Sequence, residues 1–425
     1  MAKEKVLILG AGLAGLSAAW HLQKRGIAAQ VFEKEPEAGG LCRSEKVGGF
    51  TFDCDGHLLH FRHRDIYDSV KNLLNGNLAR HKRKSYIRYQ DCEIPYPFQA
   101  NFLKLPRHIA QECLNGLKTA FNHKKNYPNF KTWAYANFGK GITEHFMLPF
   151  NEKFWRVPAE ELTCGWLDGF IPVLKLRELK AQPRKQVGYN AIFYYPAKGG
   201  IEELPLALAK NIKRDIHLNC RVTAIDIDNK EITINHKQRI NYAKLISSLP
   251  LPEFKKMIKN LPCEIKRSLG LLNYNSILVF NLGIKAQIKN DRHWIYFPED
   301  KFSYFRMGFY NSFSEALTPP GKSSLYVEVS YLKDKPADTG QLKDEIIKSL
   351  IEGKIINSPS DIVHCSILDI KYGYPIYDHN YQRTVPKVLE FLRRHNIYSI
   401  GRYGSWRYMS MEGALLEGRN IARHI

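Results

Sequence analysis

The chain has 425 residues, 44% of them hydrophobic and 25% charged, which is long enough for two or three cores and too apolar for a disordered chain. Its 63 Lys and Arg against 42 Asp and Glu give a net charge of +21, a field that attracts anionic ligands, nucleic acid or an acidic membrane surface. The clusters "RHKRK" (80–84) and "NHKKN" (122–126) read as solvated basic faces, and no nucleic-acid partner is expected. Eight cysteines without a C-x-x-C pair, and no apolar run of 18 residues, argue against zinc and dithiol motifs and against a transmembrane span. The expectation is a cytoplasmic protein with reduced, mostly buried thiols and no metal, in which contact with a membrane surface stays open.

The first elements follow one another closely. "KVLILG" (5–10) has the uniform apolar character of a buried parallel strand. It leads into Gly10-x-Gly12-x-x-Gly15, after which "LSAAWHLQKRG" has helical spacing and ends at Gly26; "AAQVFEKE" is then a second strand finishing at Glu33. Each part has a task in dinucleotide binding. Gly10 makes the turn, Gly12 lets the backbone approach a pyrophosphate, and Gly15 lets helix pack on strand. The helix N-terminus offers partial positive charge to the phosphates, and Glu33 accepts hydrogen bonds from a ribose diol.

The next stretch, "EAGGLCRS" (37–44), places Gly39 and Gly40 a few residues after Glu33, with Arg43 and Ser44 behind. Here the chain resembles the FAD-binding flavoproteins of the amine oxidase and protoporphyrinogen oxidase superfamily. The resemblance implies FAD, held by Gly10, Gly12, Gly15, Glu33, Lys34, Gly39, Gly40 and Arg43. In "HLNCRVTAIDID" (217–228) it implies that Val222 reaches the adenine through its backbone. "AKLISSLPLPEF" (243–254) is the strand and turn leading out of the cofactor domain.

Further segments resemble the UDP-galactopyranose mutases. "DGHLLHFRHRDIYDSV" (55–70) is similar to their His-x-x-His segment and assigns His57 and His60 to the flavin ring. "IPYPFQANFLKLP" (94–106) and "PFNEKFWRVPAEEL" (149–162) resemble the substrate-domain entry and the aromatic helix that packs on uracil, which implicates Trp155. In "FSYFRMGFYNSF" (302–313), Arg306 stands where the family has an arginine for the diphosphate. "KYGYPIYD" (371–378), with Tyr374, has the position of a cofactor-facing strand. "GRYGSWRY" (401–408) resembles the family's final glycine-arginine turn and implies Arg402 for FAD and Tyr408 for substrate phosphates. The small residues of "MEGA" (411–414) let a helix N-terminus approach the flavin, with Met411 and Ala414 against it. "IPVLKLRE" departs from the bacterial pattern, having Leu174 where an arginine is expected, so Arg177 is assigned to substrate instead.

The expected architecture is α/β, with a discontinuous Rossmann-type, doubly wound FAD-binding domain (1–85, 195–252, 360–425). A mainly helical substrate subdomain (86–194) and an antiparallel-sheet substrate domain (253–359) complete it. The helical periodicity of "LPRHIAQECLNGLKTAF" and the alternation in "NSILVFNLGI", "HWIYFPE" and "SLYVEVSYL" support those divisions. The mutase resemblance implies a pyranose/furanose isomerisation of a nucleotide-diphosphate sugar, in which reduced FAD offers N5 as nucleophile to the anomeric carbon. His57, Arg306 and Tyr408 are the catalytic candidates; Trp155, Arg177, Arg306, Tyr374 and Tyr408 are the substrate-binding ones. The alternative is an FAD-dependent oxidoreductase of the amine oxidase or protoporphyrinogen oxidase type.

Overall fold

The computed structural model describes residues 5–120, 126–167, 170–173, 191–212, 216–332, 335 and 337–425. Val6–Leu9 is buried along its whole length and forms the centre of a five-stranded parallel sheet. The strand order is Ile397–Ser399, Lys244–Ser247, Val6–Leu9, Ala29–Phe32 and Ile216–His217. All its pairings are parallel, so helices must cover both faces. The first helix, Leu13–Lys24, buries Leu13, Leu16, Ala18, Ala19 and Leu22, and packs against the closing helix, Met411–His424.

A seven-stranded sheet forms the second layer. Its order is Ile362–Pro375, Tyr274–Ile284, Ser323–Leu332, Arg306–Phe309, Trp294–Tyr296, Ser85–Tyr89 and Cys92–Pro95. Pairing is antiparallel except between Trp294–Tyr296 and Ser85–Tyr89. Tyr274–Ile284 is buried at every position, as a central strand covered on both faces should be. The four helices Phe98–Asn101, Arg107–Thr119, Phe130–Ile142 and Leu148–Trp155 form the helical part. Arg107–Thr119 turns Ile109, Cys113, Gly116 and Leu117 inward, the stripe its spacing predicts.

Three details depart from the expected layout. Residues 85–95 are strands of the seven-stranded sheet, not part of the helical piece, and Ile362–Pro375 also belongs to that sheet, so the chain returns to the parallel sheet only at Ile397. Ser85–Tyr89 and Ile362–Pro375 each pair with a strand remote in sequence, and Cys92–Pro95 follows as the hairpin partner of Ser85–Tyr89. The thiols are all unpaired, but only Cys42 and Cys113 are buried; five are half-buried and Cys263 is exposed. Within "RHKRK", Arg83 is 3% exposed, so that run is not a uniformly solvated face.

Candidate active site

The cofactor half of the site is built at the carboxyl end of the first strand. The closeness of helix to turn leaves no room for a side chain at Gly15, where a Cβ would lie 2.0 Å from the Gly10 carbonyl oxygen. Gly39–Gly40 crosses Gly12, and a Cβ on Gly40 would approach the Gly12 Cα to 3.1 Å. Gly39 N–H donates to the Ala11 carbonyl at 2.8 Å, tying the two glycine segments together. The buried Glu33 carboxylate accepts from Ala11 N–H at 2.7 Å and from Glu35 N–H at 3.1 Å. Arg43 Nε donates to the Gly40 carbonyl at 2.9 Å. Lys34 is half exposed and pairs with Glu35 at 3.1 Å. Val222 opens a strand two residues beyond Cys220, whose N–H donates to the Glu33 carbonyl at 2.7 Å, so it stands near the acid's end of the site.

These residues fit an FAD molecule. The first helix starts at Gly12 with no side-chain cap and no acidic residue in its first turn. Its leading N–H groups therefore face the glycine crossing without a resident anion, which is what a pyrophosphate requires. The Glu33 carboxylate sits where a ribose diol would meet it.

The chain's last segment folds onto this half. Ile400 N–H donates to the Ser247 carbonyl at 2.8 Å, joining the turn before Arg402 to the parallel sheet. Arg402 donates from Nε and Nη2 to the Met409 carbonyl at 3.0 and 2.6 Å. Its guanidinium lies over the Tyr374 and Tyr408 rings at 5.4 and 5.5 Å. Burial opposes its charge, but Tyr403 and Tyr374 outweigh that and hold its pKa above the ordinary value. Met411 is buried and Ala414 half-buried in the closing helix, whose N-cap Ser410 accepts from Gly413 N–H at 3.1 Å. Glu412 in its first turn accepts from the N–H groups of Arg62 and His63.

His57 sits beside this group. Its Nδ1 is 3.1 Å from the Asp55 carbonyl oxygen, which can only accept, so Nδ1 carries the proton and Nε2 a lone pair. Burial lowers its pKa against the raising effect of Asp55. His60 is also buried, and its pKa is pushed down to about 4, by burial first and then by Arg62.

Arg306, on the seven-stranded sheet, is not an unbalanced cation. Its Nε and Nη2 donate to the two oxygens of fully buried Glu328, and Nη2 reaches Asp55 at 3.4 Å. Burial opposes its charge, and Tyr326 and Asp55 outweigh that and raise its pKa. Only Nη1 is left by these bonds to meet a ligand.

Trp155 is 1% exposed. It packs against Phe154, Trp166, Tyr374 and Tyr408 with ring centres 4.9 to 6.2 Å apart. It therefore forms the wall behind the tyrosines, with its indole N–H buried and without a hydrogen-bond partner among the described residues. Tyr374 and Tyr408 lie 5.6 Å apart, and Phe170 meets Tyr408 edge-on at 4.7 Å. Arg177 lies outside the described residues, as do Leu174 and Lys175. Among the described residues no group of His, Cys, Asp and Glu could hold a metal ion. No helix among them is long and apolar enough to cross a membrane.

The structure adds one residue that the sequence reading missed. The Arg83 guanidinium lies over the Tyr96 ring at 4.9 Å, and Tyr96 stacks obliquely with Tyr296 at 5.1 Å. Burial and the neighbouring Tyr296 raise the Tyr96 pKa, Arg83 lowers it and Tyr408 contributes, which puts Arg83 and Tyr96 in the neighbourhood of the Tyr408 group. Arg83 lies between the strands Ala79–Lys82 and Ser85–Tyr89, and burial that alternates along 79–85 was the signal available.

Comparison with known proteins agrees with this construction. A 1-hydroxycarotenoid 3,4-desaturase of Flavobacterium sp. is 26% identical over 357 residues, 72% of this chain and 69% of that protein. A UDP-galactopyranose mutase of Mycoplasma pneumoniae is 20% identical over 260 residues, 58% of this chain and 63% of the relative. A crystal structure of reduced UDP-galactopyranose mutase superposes with a TM-score of 0.93 at 28% identity, over 100% of this chain and 94% of the other. The family described as flavin containing amine oxidoreductase matches residues 13–425. The chain belongs to that family, and its cofactor is FAD.

Proposed function

We propose that the protein is a flavin-dependent pyranose/furanose mutase acting on a nucleotide-diphosphate sugar. The observation that carries this reading is the buried Arg306 guanidinium among Tyr296, Tyr326 and Tyr374, with neutral His57 beside it. A buried cation among phenol hydroxyls, where the two sheets meet, suits an anionic, hydroxyl-rich substrate better than an amine or a hydrocarbon. The full-length likeness to a reduced UDP-galactopyranose mutase supports the same reading.

When bound in its reduced form, FAD supplies a nucleophilic nitrogen for the anomeric carbon. The chain's own groups do the rest. Arg402 secures the cofactor, while Arg83 and the Nη1 of Arg306 meet the negative charge of the diphosphate. Burial keeps the Tyr374 hydroxyl protonated, so it donates a hydrogen bond; Tyr408 faces the phosphates. His57 Nε2 takes a proton from a sugar hydroxyl and returns it before the product leaves, since an isomerisation has no net proton change. The packed rings of Phe154, Trp155 and Trp166 keep water from the reacting carbon.

The test uses the yellow protein reduced with dithionite and UDP-galactopyranose, with furanose product sought by chromatography. Product formed only by reduced enzyme is the expected result; oxygen uptake with an amine or a porphyrinogen, and no sugar product, would overturn it. The second reading, an FAD-dependent oxidoreductase, is favoured by the similarity to the desaturase.

A further inference from the structure

A cavity of about 610 Å³ lies among residues given no role above. Its walls come from strand Ala79–Lys82 and Lys84, the segment 287–293, and the segment 311–322. Five cationic side chains line it, Arg80, Lys82, Lys84, Lys289 and Lys322, against the carboxylates of Asp291 and Glu315. The Lys84 ammonium is paired with Asp291 at 2.7 Å. Lys322 extends over the Phe50 ring at 5.8 Å, which leaves its charge in place. Five cations thus face two carboxylates in one concavity, of a size that holds a small ligand.

The neutral groups in the walls are largely engaged inside the protein. Asn311 donates to the Lys322 carbonyl and accepts from Ser324 N–H, Thr318 bonds the Ser324 hydroxyl, and Asn290 accepts from Arg292 N–H. His293 accepts from Lys84 N–H at 3.0 Å. His81 differs: it lines the cavity, stacks on Phe193 at 5.1 Å, and its Nε2 is buried without a hydrogen-bond partner among the described residues. Apart from the imidazoles of His81 and His293, no aromatic ring among the described residues lines the cavity. A nucleobase would therefore find little surface to stack on, while a compact anion would meet several cations at once.

We propose that this cavity is a second ligand site, separate from the flavin site, that binds a phosphate-bearing anion, either free or carried on a lipid headgroup. The chain just beyond this strand gives it a link to the first site. Arg80, Lys82 and Lys84 alternate along the chain with Arg83, which is turned inward onto Tyr96. The site does not depend on which reaction the flavin performs, because none of its residues belongs to the catalytic group.

The experiment titrates the FAD-loaded protein, held in saturating UDP, with sodium pyrophosphate in a calorimeter. In parallel, the protein is sedimented with phosphatidylglycerol and with phosphatidylcholine vesicles. The variants are Lys82→Ala/Lys289→Ala and, as a control elsewhere on the surface, Lys387→Ala. Unchanged flavin absorbance and circular dichroism establish that they fold. Saturable pyrophosphate binding, weakened at least about tenfold in the double variant and unchanged in the control, supports the free anion. Sedimentation with phosphatidylglycerol alone, lost in the double variant, supports the headgroup. Binding to neither probe, or binding that the double variant leaves intact, overturns the proposal.

Discussion

Arg306 and Glu328 face each other on adjacent antiparallel strands, and both carboxylate oxygens are engaged by the guanidinium. Glu328 is fully buried, and Asp55 lies 3.4 Å from the same nitrogen. Removing the acid leaves a mostly buried cation with one distant partner. Glu328→Ala should lower unfolding free energy by about 3 kcal/mol, the cost of breaking a buried pair from one side. Denaturant titration measures it. Arg306→Met/Glu328→Leu should recover much of the loss in stability while abolishing any nucleotide-sugar binding that depends on Arg306.

The crossing of the first and closing helices depends on Gly418. A Cβ there would fall 2.5 Å from the Ala14 carbonyl oxygen and 2.6 Å from the Ser17 Cβ. Ser17 also donates to the Leu415 carbonyl at 2.7 Å across this seam. Gly418→Val should destabilise by about 1–3 kcal/mol through overpacking. It should also release flavin at a lower temperature, read by the rise in free flavin fluorescence on heating.

Acid should destabilise the protein through buried histidines. Burial, and then His81, push the His293 pKa down to about 3; burial and Arg62 push that of His60 to about 4. From these values up to the ordinary 6.5, the unfolded chain binds protons the native one does not, so stability rises with pH over that window. Asp53 has the opposite sign. Burial raises its pKa to about 6 against the bonds from Tyr195 and Ser44, so between about 4 and 6 the native state holds the extra proton. Two histidines outweigh one carboxyl, and stability should fall on acidification from pH 6.5 to 4. His293→Gln should flatten that dependence by nearly one proton; an unchanged slope in denaturant titrations across pH would refute the assignment.

Arg83 separates binding from cofactor retention. Arg83→Ala should keep flavin bound yet weaken nucleotide-sugar binding by about 2 kcal/mol, the lower end of the cost of losing a buried charge partner. Tyr408→Phe should weaken it less, because the ring packing on Trp155 and Tyr374 remains. Binding of UDP-galactopyranose to the reduced protein, followed by calorimetry, gives both values.

The cofactor half of the site was legible in the sequence because its signals are local. A buried strand, glycines at fixed offsets, a helix and a terminal acid all fall within residues 5–33 and fold where they stand. The neutralisation of Arg306 was not legible, since it depends on the register that sets Arg306 opposite Glu328 and on Asp55 arriving from residue 55. Trp155 was recognised as part of an aromatic cluster, but which ring of such a cluster faces outward is decided by packing. Arg83 was hidden by composition: in "RHKRK" the charge count says surface, whereas at the break between the strands Ala79–Lys82 and Ser85–Tyr89 one cation turns inward. Trp406 shows the reverse, a residue of the final aromatic turn that packs on Tyr274 and Tyr372 in a different core.

The order of the parallel sheet bears on how the protein matures. Its central strand pairs with Lys244–Ser247, and that strand in turn with Ile397–Ser399. During synthesis the amino-terminal glycine loop therefore waits for nearly four hundred residues before its sheet can be completed. Long-range parallel pairing of this kind forms slowly and leaves edges exposed meanwhile. The sheet that carries the glycine loop is thus complete only once Ile397–Ser399 has been made, and until then the edge of Lys244–Ser247 stays open.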